Sequence, residues 1–205
     1  MARAGTKIVN VGKRHFLMLL PTSRTKAPVK QTSAKPARKP RRVLRIDVDQ
    51  DDGDWQRLGD VRPMVNEIAA TLIGQVELPT VRTRACVALA CDAQVHSLNK
   101  QFRGQDKPTN VLSFPRGLDM IHTRSEVELG DVILAEETLV REAGELGIPL
   151  DHHFRHLVLH GLLHLLGYDH ETDEDAAEME ALETRILAGL GIPDPYAEPA
   201  THKET

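Results

Sequence analysis

The stretch HHFRHLVLHGLLHLLGYDH, residues 152–170, holds six of the ten histidines in the 205-residue chain. On a helix, where each residue turns by about 100°, His153, His156, His160 and His164 fall within an arc of about 80°. The remaining positions are mostly leucine, valine and phenylalanine. Such a helix is apolar around most of its circumference and is expected to be buried on most sides. A row of imidazoles on a buried helix needs partners, because an unpaired buried polar group costs about 1–3 kcal/mol.

His160 and His164 stand at i and i+4, so two rings on one face can grip a single cation. Gly167 can take the left-handed conformation that ends a helix and turns the chain back, which returns His170 as a third ligand. Three neutral nitrogens leave one coordination position for water, the catalytic rather than the structural pattern of zinc. Water held there reaches a pKa near about 7 and becomes a nucleophile. Any one of these histidines alone would read as an ordinary helix residue; the triplet with its glycine carries the metal reading. His152, His153 and His156 are given no ligand role, and His156 reads as a hydrogen-bonded packing residue or one that fixes a ligand. The spacing is that of the metzincin proteases, but Gly161 stands where those enzymes carry the glutamate general base. Glycine accepts no proton, which argues against a peptidase.

Outward from this helix the chain alternates strands and helices. Val43–Val48 predicts a first strand, stopped by Asp51, Asp52 and Gly53. Asp54 is a candidate cap for a helix carrying Val61, Val65, Ile68 and Leu72, and Pro63 moves its start to near Asp60. Residues 84–91 predict a second strand, with Asp92 capping a short helix through Phe102. Val111–Phe114 predicts a third strand ended by Pro115, residues 116–129 a polar loop, and Asp131–Ala135 a fourth strand. An acidic helix then runs to Leu146, stopped by Gly147 and Pro149, and Asp151 caps the histidine helix. Thr172 and Asp175 resemble a capping box for a last helix that buries Met179, Leu182, Ile186 and Leu190. The expected fold is one α/β (α+β) domain: a mixed sheet of about four strands around a central metal-binding helix.

Composition sets further bounds. Mean hydropathy is −0.32 and no apolar run approaches the length of a membrane span. Cys86 and Cys91 exclude a disulfide framework or a cysteine-rich zinc module, and read as small buried residues on opposite sides of a strand. Aromatic residues make up 3% of the chain, which argues against a base-stacking RNA platform. Of 26 basic residues, 13 lie in residues 1–45, which hold no acid; the other 13 face all 30 acids, giving the body a formal −17. Residues 21–42, rich in Pro, Ser, Thr and Lys, are expected to be disordered. The basic start reads as a dispensable tail, with an organelle transit peptide or an RNA-touching arm as alternatives. The acids of the last helix, Asp173, Glu174, Asp175, Glu178, Glu180 and Glu183, are expected to form a solvated face.

Three blocks in the same order resemble the YbeY family of bacterial rRNA maturation endoribonucleases. The first is His160–His170. The second, Leu98–Pro115, contains Phe102-Arg103 and Lys107-Pro108-Thr109-Asn110 followed by Val111–Pro115. The third is Leu129–Ile133, with Glu178–Glu183 fitting the family's last helix. The resemblance implies a zinc ion held by His160, His164 and His170, with Arg103 as the basic catalytic residue of the cleft. It also implies single-strand-specific RNA cleavage in 16S rRNA 3′-end maturation and ribosome quality control, with rRNA and ribosomal or ribosome-associated proteins as partners. A cytoplasmic location is expected, or an organellar one if residues 1–42 are a transit peptide. The expected organisation is a basic extension over 1–42, the nuclease domain over 43–192 and a flexible tail over 193–205. Arg103 has the fork that suits phosphate oxygens, and Lys100, Lys107 and Arg116 can add a basic rim. Attack by a zinc-activated water or by the RNA 2′-OH both stay open. Competing classes are a non-catalytic zinc-containing assembly factor and a metallohydrolase of another kind, such as a peptidase.

Overall fold

The computed structural model describes residues 42–50, 52–78, 82–116 and 126–197. The expectations for the N-terminal extension and for residues 198–205 fall outside the described residues, Arg42 apart. Among the described residues the order is β1 (Val43–Gln50), α1 (Arg62–Ile73), β2 (Arg82–Ala90), α2 (Asp92–Arg103), β3 (Val111–Pro115), β4 (Val127–Ala135), α3 (Glu136–Leu146), α4 (Leu150–Leu165) and α5 (Asp173–Gly189). The sheet runs β1-β2-β4-β3; β1, β2 and β4 are parallel, and β3 is an antiparallel edge strand with Ser113 opposite Val132.

The alternation along β1 and β2 assigns the faces. Leu44, Ile46, Ala85, Val87 and Leu89 are buried in the main core with residues of α1, α4 and α5. The opposite face is covered where α2 packs Val95 and Leu98 on Leu112, Phe114 and Ile133. The fourth strand begins at Val127, four residues earlier than the alternation predicts. Gly130 explains the difference. It sits at φ +135 beside a register shift opposite Arg84 and Cys86, so Val127, Leu129, Val132 and Leu134 are all buried across a bulge that breaks the period of two. A Cβ at Gly130 would meet Phe114 O at 2.1 Å, so no other residue fits there without movement.

Three expected caps are placed differently. Asp151 lies inside α4, whose N-cap is Pro149 with no side-chain capping bond. Asp54 makes no capping bond, and Asp60 Oδ1 instead accepts the Arg62 N–H (3.1 Å) at the start of α1. Asp92 caps a neighbour rather than its own helix: its carboxylate accepts the Thr138 N–H (2.9 Å) and hydroxyl (2.7 Å) of α3. Glu137 in turn accepts the Asp92 N–H at 2.7 Å. Half of the expected box forms at Thr172: Asp175 N–H donates to Thr172 Oγ1 at 3.1 Å, while the Asp175 carboxylate accepts from the Thr172 hydroxyl at 2.6 Å rather than from its backbone N–H. Pro115 closes β3 rather than following it. Cys86 and Cys91 are unbridged and half-buried rather than fully buried, and their thiols point to Asp49 and Asp52.

The histidine helix α4 is enclosed as its sequence demands. Phe154, Leu157, Val158, Leu159, Leu162, Leu163 and Leu165 are all buried. It lies on β3 and β4 and touches α1, α3 and α5. The approach to the sheet is set by Gly161, where a Cβ would stand 2.4 Å from Val132 Cγ1 and 3.2 Å from Ser113 Oγ.

Candidate metal centre

The last turns of α4 bring His160 and His164 edge to face, with ring centroids 4.6 Å apart. The helix stops at Leu165, Tyr168 N–H donates back to Leu163 O at 3.1 Å, and Gly167 takes φ +94. This reversal carries His170 to centroid distances of 5.0 Å from His164 and 5.6 Å from His160. The three rings can each offer a nitrogen so that all three atoms lie within 4.8 Å of one another. His170 is exposed while His160 and His164 are half-buried, so the cluster opens to solvent on the His170 side.

Hydrogen bonds fix which nitrogen faces the cluster. A carbonyl oxygen only accepts, so His164 Nδ1, 3.0 Å from Tyr168 O, carries the ring proton. Glu183 Oε1 lies 2.9 Å from His160 Nδ1 and fixes that ring in the same way. Both Nε2 atoms are then bare in the neutral rings, and they face each other at 3.1 Å. Two lone pairs at that distance repel unless a metal ion or a shared proton lies between them. Imidazoles bound tetrahedrally to zinc at about 2.0–2.1 Å bring their nitrogens to about 3.3 Å of each other, close to what is found here. The donor set therefore fits a divalent ion. His164 is held below the ordinary imidazole value, by burial first and by the neighbouring His160 second.

The carboxylate of Glu183 is the residue that sequence reasoning misplaced. Expected on a solvated face, it has no exposed surface at all. Burial pushes its pKa up, but His156, His160 and the Tyr196 hydroxyl together outweigh this and hold it at about 2. The signal was present: Met179, Leu182 and Ile186 define the buried stripe of α5, and Glu183 sits inside it as an acid at an apolar position. Tyr196, in the stretch expected to be a tail, donates its hydroxyl proton to Glu183 Oε2. His156 lies 3.3 Å from the Tyr196 hydroxyl oxygen and 3.6 Å from Glu183.

His153 belongs to a different network. It is 4% exposed, its Nε2 meets Glu142 Oε2 at 3.0 Å, and its buried Nδ1 has no partner among the described residues. The same Glu142 oxygen accepts from Asn110 Nδ2 at 2.9 Å, so Asn110 ties the start of β3 to α3 as well as shaping its own turn. Burial lowers the His153 pKa from 6.5, against the opposing pull of Glu142.

Arg103 ends α2 and is exposed, with Nη2 3.4 Å from Ser113 O. Ser113 Oγ in turn donates to Gly161 O at 3.2 Å. The guanidinium is thus anchored to the strand that touches the residue next to His160. The basic rim around it is largely neutralised: Lys100 pairs with Asp106 at 2.7 Å, and Arg116 with Glu128 at 2.6 Å. A separate surface cavity of about 650 Å³, lined by Arg45, Asp47, Arg62 and Arg84, lies along β1 and includes none of the three histidines.

Comparison with known proteins identifies the family. The family model described as Endoribonuclease YbeY matches residues 47–191. A protein of that name from Bradyrhizobium diazoefficiens is 50% identical over 153 residues, covering 72% of this chain and 83% of the relative. Another from Paramagnetospirillum magneticum is 48% identical over 160 residues, covering 76% of this chain and 98% of the relative. The solution structure of TM1509 from Thermotoga maritima aligns with a TM-score of 0.51 at 24% identity, over 78% of this chain and 99% of that one, a likeness of fold.

Proposed function

We propose, from the premise that this chain belongs to the endoribonuclease YbeY family, that it is a zinc-dependent endoribonuclease. It cleaves single-stranded RNA in 16S rRNA 3′-end maturation and ribosome quality control. The observation that carries this reading is the pair of Nε2 atoms, from His160 and His164, that face each other at 3.1 Å with both Nδ1 atoms occupied elsewhere. His160, His164 and His170 are the ligands. Three imidazoles suit zinc, whereas magnesium and calcium take oxygen ligands. Bound there, the ion supplies Lewis acidity and lowers the pKa of water.

The protein's own part is to position and to complement charge. Arg103 holds a planar, permanently charged fork beside β3, and its contact with Ser113 O leaves other N–H donors for phosphate oxygens. Gly161 places no carboxylate beside the site, and the 2.4 Å approach to Val132 leaves no room for one, which disfavours a glutamate-based peptidase. Lys100 and Arg116 are committed to acids, and the body carries −17, so the domain alone offers RNA little long-range attraction. Delivery of RNA by ribosomal or ribosome-associated proteins, or by the basic extension, accounts for this, and a cytoplasmic location follows. No helix among the described residues is long and apolar enough to cross a membrane.

The test is cleavage of single-stranded RNA by the full chain, before and after chelation and after return of zinc. Chelation is expected to abolish cleavage and zinc to restore it. Arg103→Ala is expected to lower the rate by about 10²–10³-fold with the metal retained. Full cleavage by metal-free protein contradicts the reading.

A further inference from the structure

One of the three ligand histidines leans on a buried carboxylate, and that carboxylate leans on a residue beyond the last helix. Glu183 is 0% exposed. A desolvated carboxylate persists only where its oxygens are hydrogen bonded. Oε1 takes the His160 Nδ1–H at 2.9 Å and Oε2 takes the Tyr196 hydroxyl. That hydroxyl oxygen lies 3.3 Å from His156 Nε2. Tyr196 stands beyond the last helix and is 41% exposed, the outermost member of the chain of contacts.

We propose that Glu183 and Tyr196 are positioning residues of the metal centre. Glu183 fixes the tautomer and the rotation of His160, so that Nε2 and not Nδ1 is presented to the ion. Tyr196 fixes the rotation of the Glu183 carboxylate, which makes the segment after α5 part of the centre. The assignment rests on the three-histidine reading above. Freed from Glu183, the ring can carry its proton on Nε2, the nitrogen that must be bare to bind. The neighbouring set His156, His160 and Glu183 also offers atoms within 4.8 Å of one another, but there His160 Nδ1 is already engaged with the carboxylate and has no lone pair for a second ion. A carboxylate that only held α5 against α4 would affect folding and leave metal affinity unchanged.

The experiment compares the full-length chain with Glu183→Gln, Tyr196→Phe and His164→Ala. Zinc affinity is measured by competition with a chromophoric chelator, and the ligand field by the visible absorption of the cobalt-loaded proteins. Circular dichroism checks the fold. Glu183→Gln is expected to weaken zinc by about 10–100-fold and to move the cobalt bands. Tyr196→Phe is expected to weaken zinc several-fold and move the bands the same way. Should Glu183→Gln not fold, Tyr196→Phe decides alone, since its side chain is partly exposed and the change is one hydroxyl. Unchanged affinity and unchanged cobalt bands in the folded variants overturn the assignment. A wild-type chain that binds zinc no better than His164→Ala overturns the three-histidine reading, and the assignment with it.

Discussion

At the start of α4, His153 turns Nε2 onto Glu142 and leaves Nδ1 buried and, among the described residues, without a partner, whereas two turns later His160 turns Nδ1 onto Glu183 and leaves Nε2 facing His164. The side chain is the same, the helix is the same, and each ring has one carboxylate partner. What differs is which nitrogen the partner takes and whether another bare nitrogen converges on the one left over. Near His153 none converges, and the ring serves the packing of α3 against α4. Near His160 two others do, because Gly167 reverses the chain and brings His170 back. An imidazole is made a ligand here by its hydrogen-bond partner as much as by its spacing.

The sharpest way to break this contrast is to remove one ring at each end. His164→Ala is expected to lower zinc affinity by more than about 100-fold and to abolish RNA cleavage. His153→Ala is expected to keep zinc stoichiometry and lose about 1–3 kcal/mol of stability, through the void left behind and the loss of one of the two partners of Glu142. Equal loss of metal in the two variants would erase the distinction. A smaller effect is expected between the two ends, at Gly161. Gly161→Ala forces a methyl toward Val132 of β4 and is expected to cost about 1–3 kcal/mol in denaturant unfolding, with cleavage reduced because the neighbouring β3, to which Arg103 of α2 is anchored, must move as well. A neutral result would show that the helix does not depend on this close approach.

The smallest expected effect is one of pH. His153 titrates below 6.5 in the folded protein, because burial disfavours its charged form. Above pH 6.5 the ring is neutral in both states and contributes nothing to the slope. As pH falls below 6.5 the unfolded chain binds a proton that the folded chain refuses, so stability falls until the folded pKa is reached. His153→Gln is expected to flatten this part of the stability curve. An unchanged slope in denaturant unfolding between pH 7.5 and 5.5 would place the titration elsewhere.

How much of this could be read from the sequence depended on distance along the chain. The triplet His160, His164 and His170 was legible because helical geometry and one glycine relate residues only ten positions apart. Glu183 and Tyr196 reach His160 and His156 from another helix and from beyond it, and no local rule pairs them; only an acid inside the apolar stripe of α5 hinted at burial. The bulge at Gly130 hid half of β4 by breaking the period of two. Asp92 looked like the cap of its own helix, and its carboxylate is used by α3 because the two helix starts lie side by side. The sheet order β1-β2-β4-β3 follows from pairing across distant segments and left no mark in any one of them.

The most direct measurement is nuclear magnetic resonance of the protein loaded with cadmium-113 in place of zinc, with nitrogen-15 in the histidine rings. One-bond cadmium–nitrogen coupling is expected to three rings only, His160, His164 and His170, through Nε2 in the first two, while His153 and His156 stay uncoupled. Coupling to His153 or His156, or to Nδ1 of His160, would contradict the account.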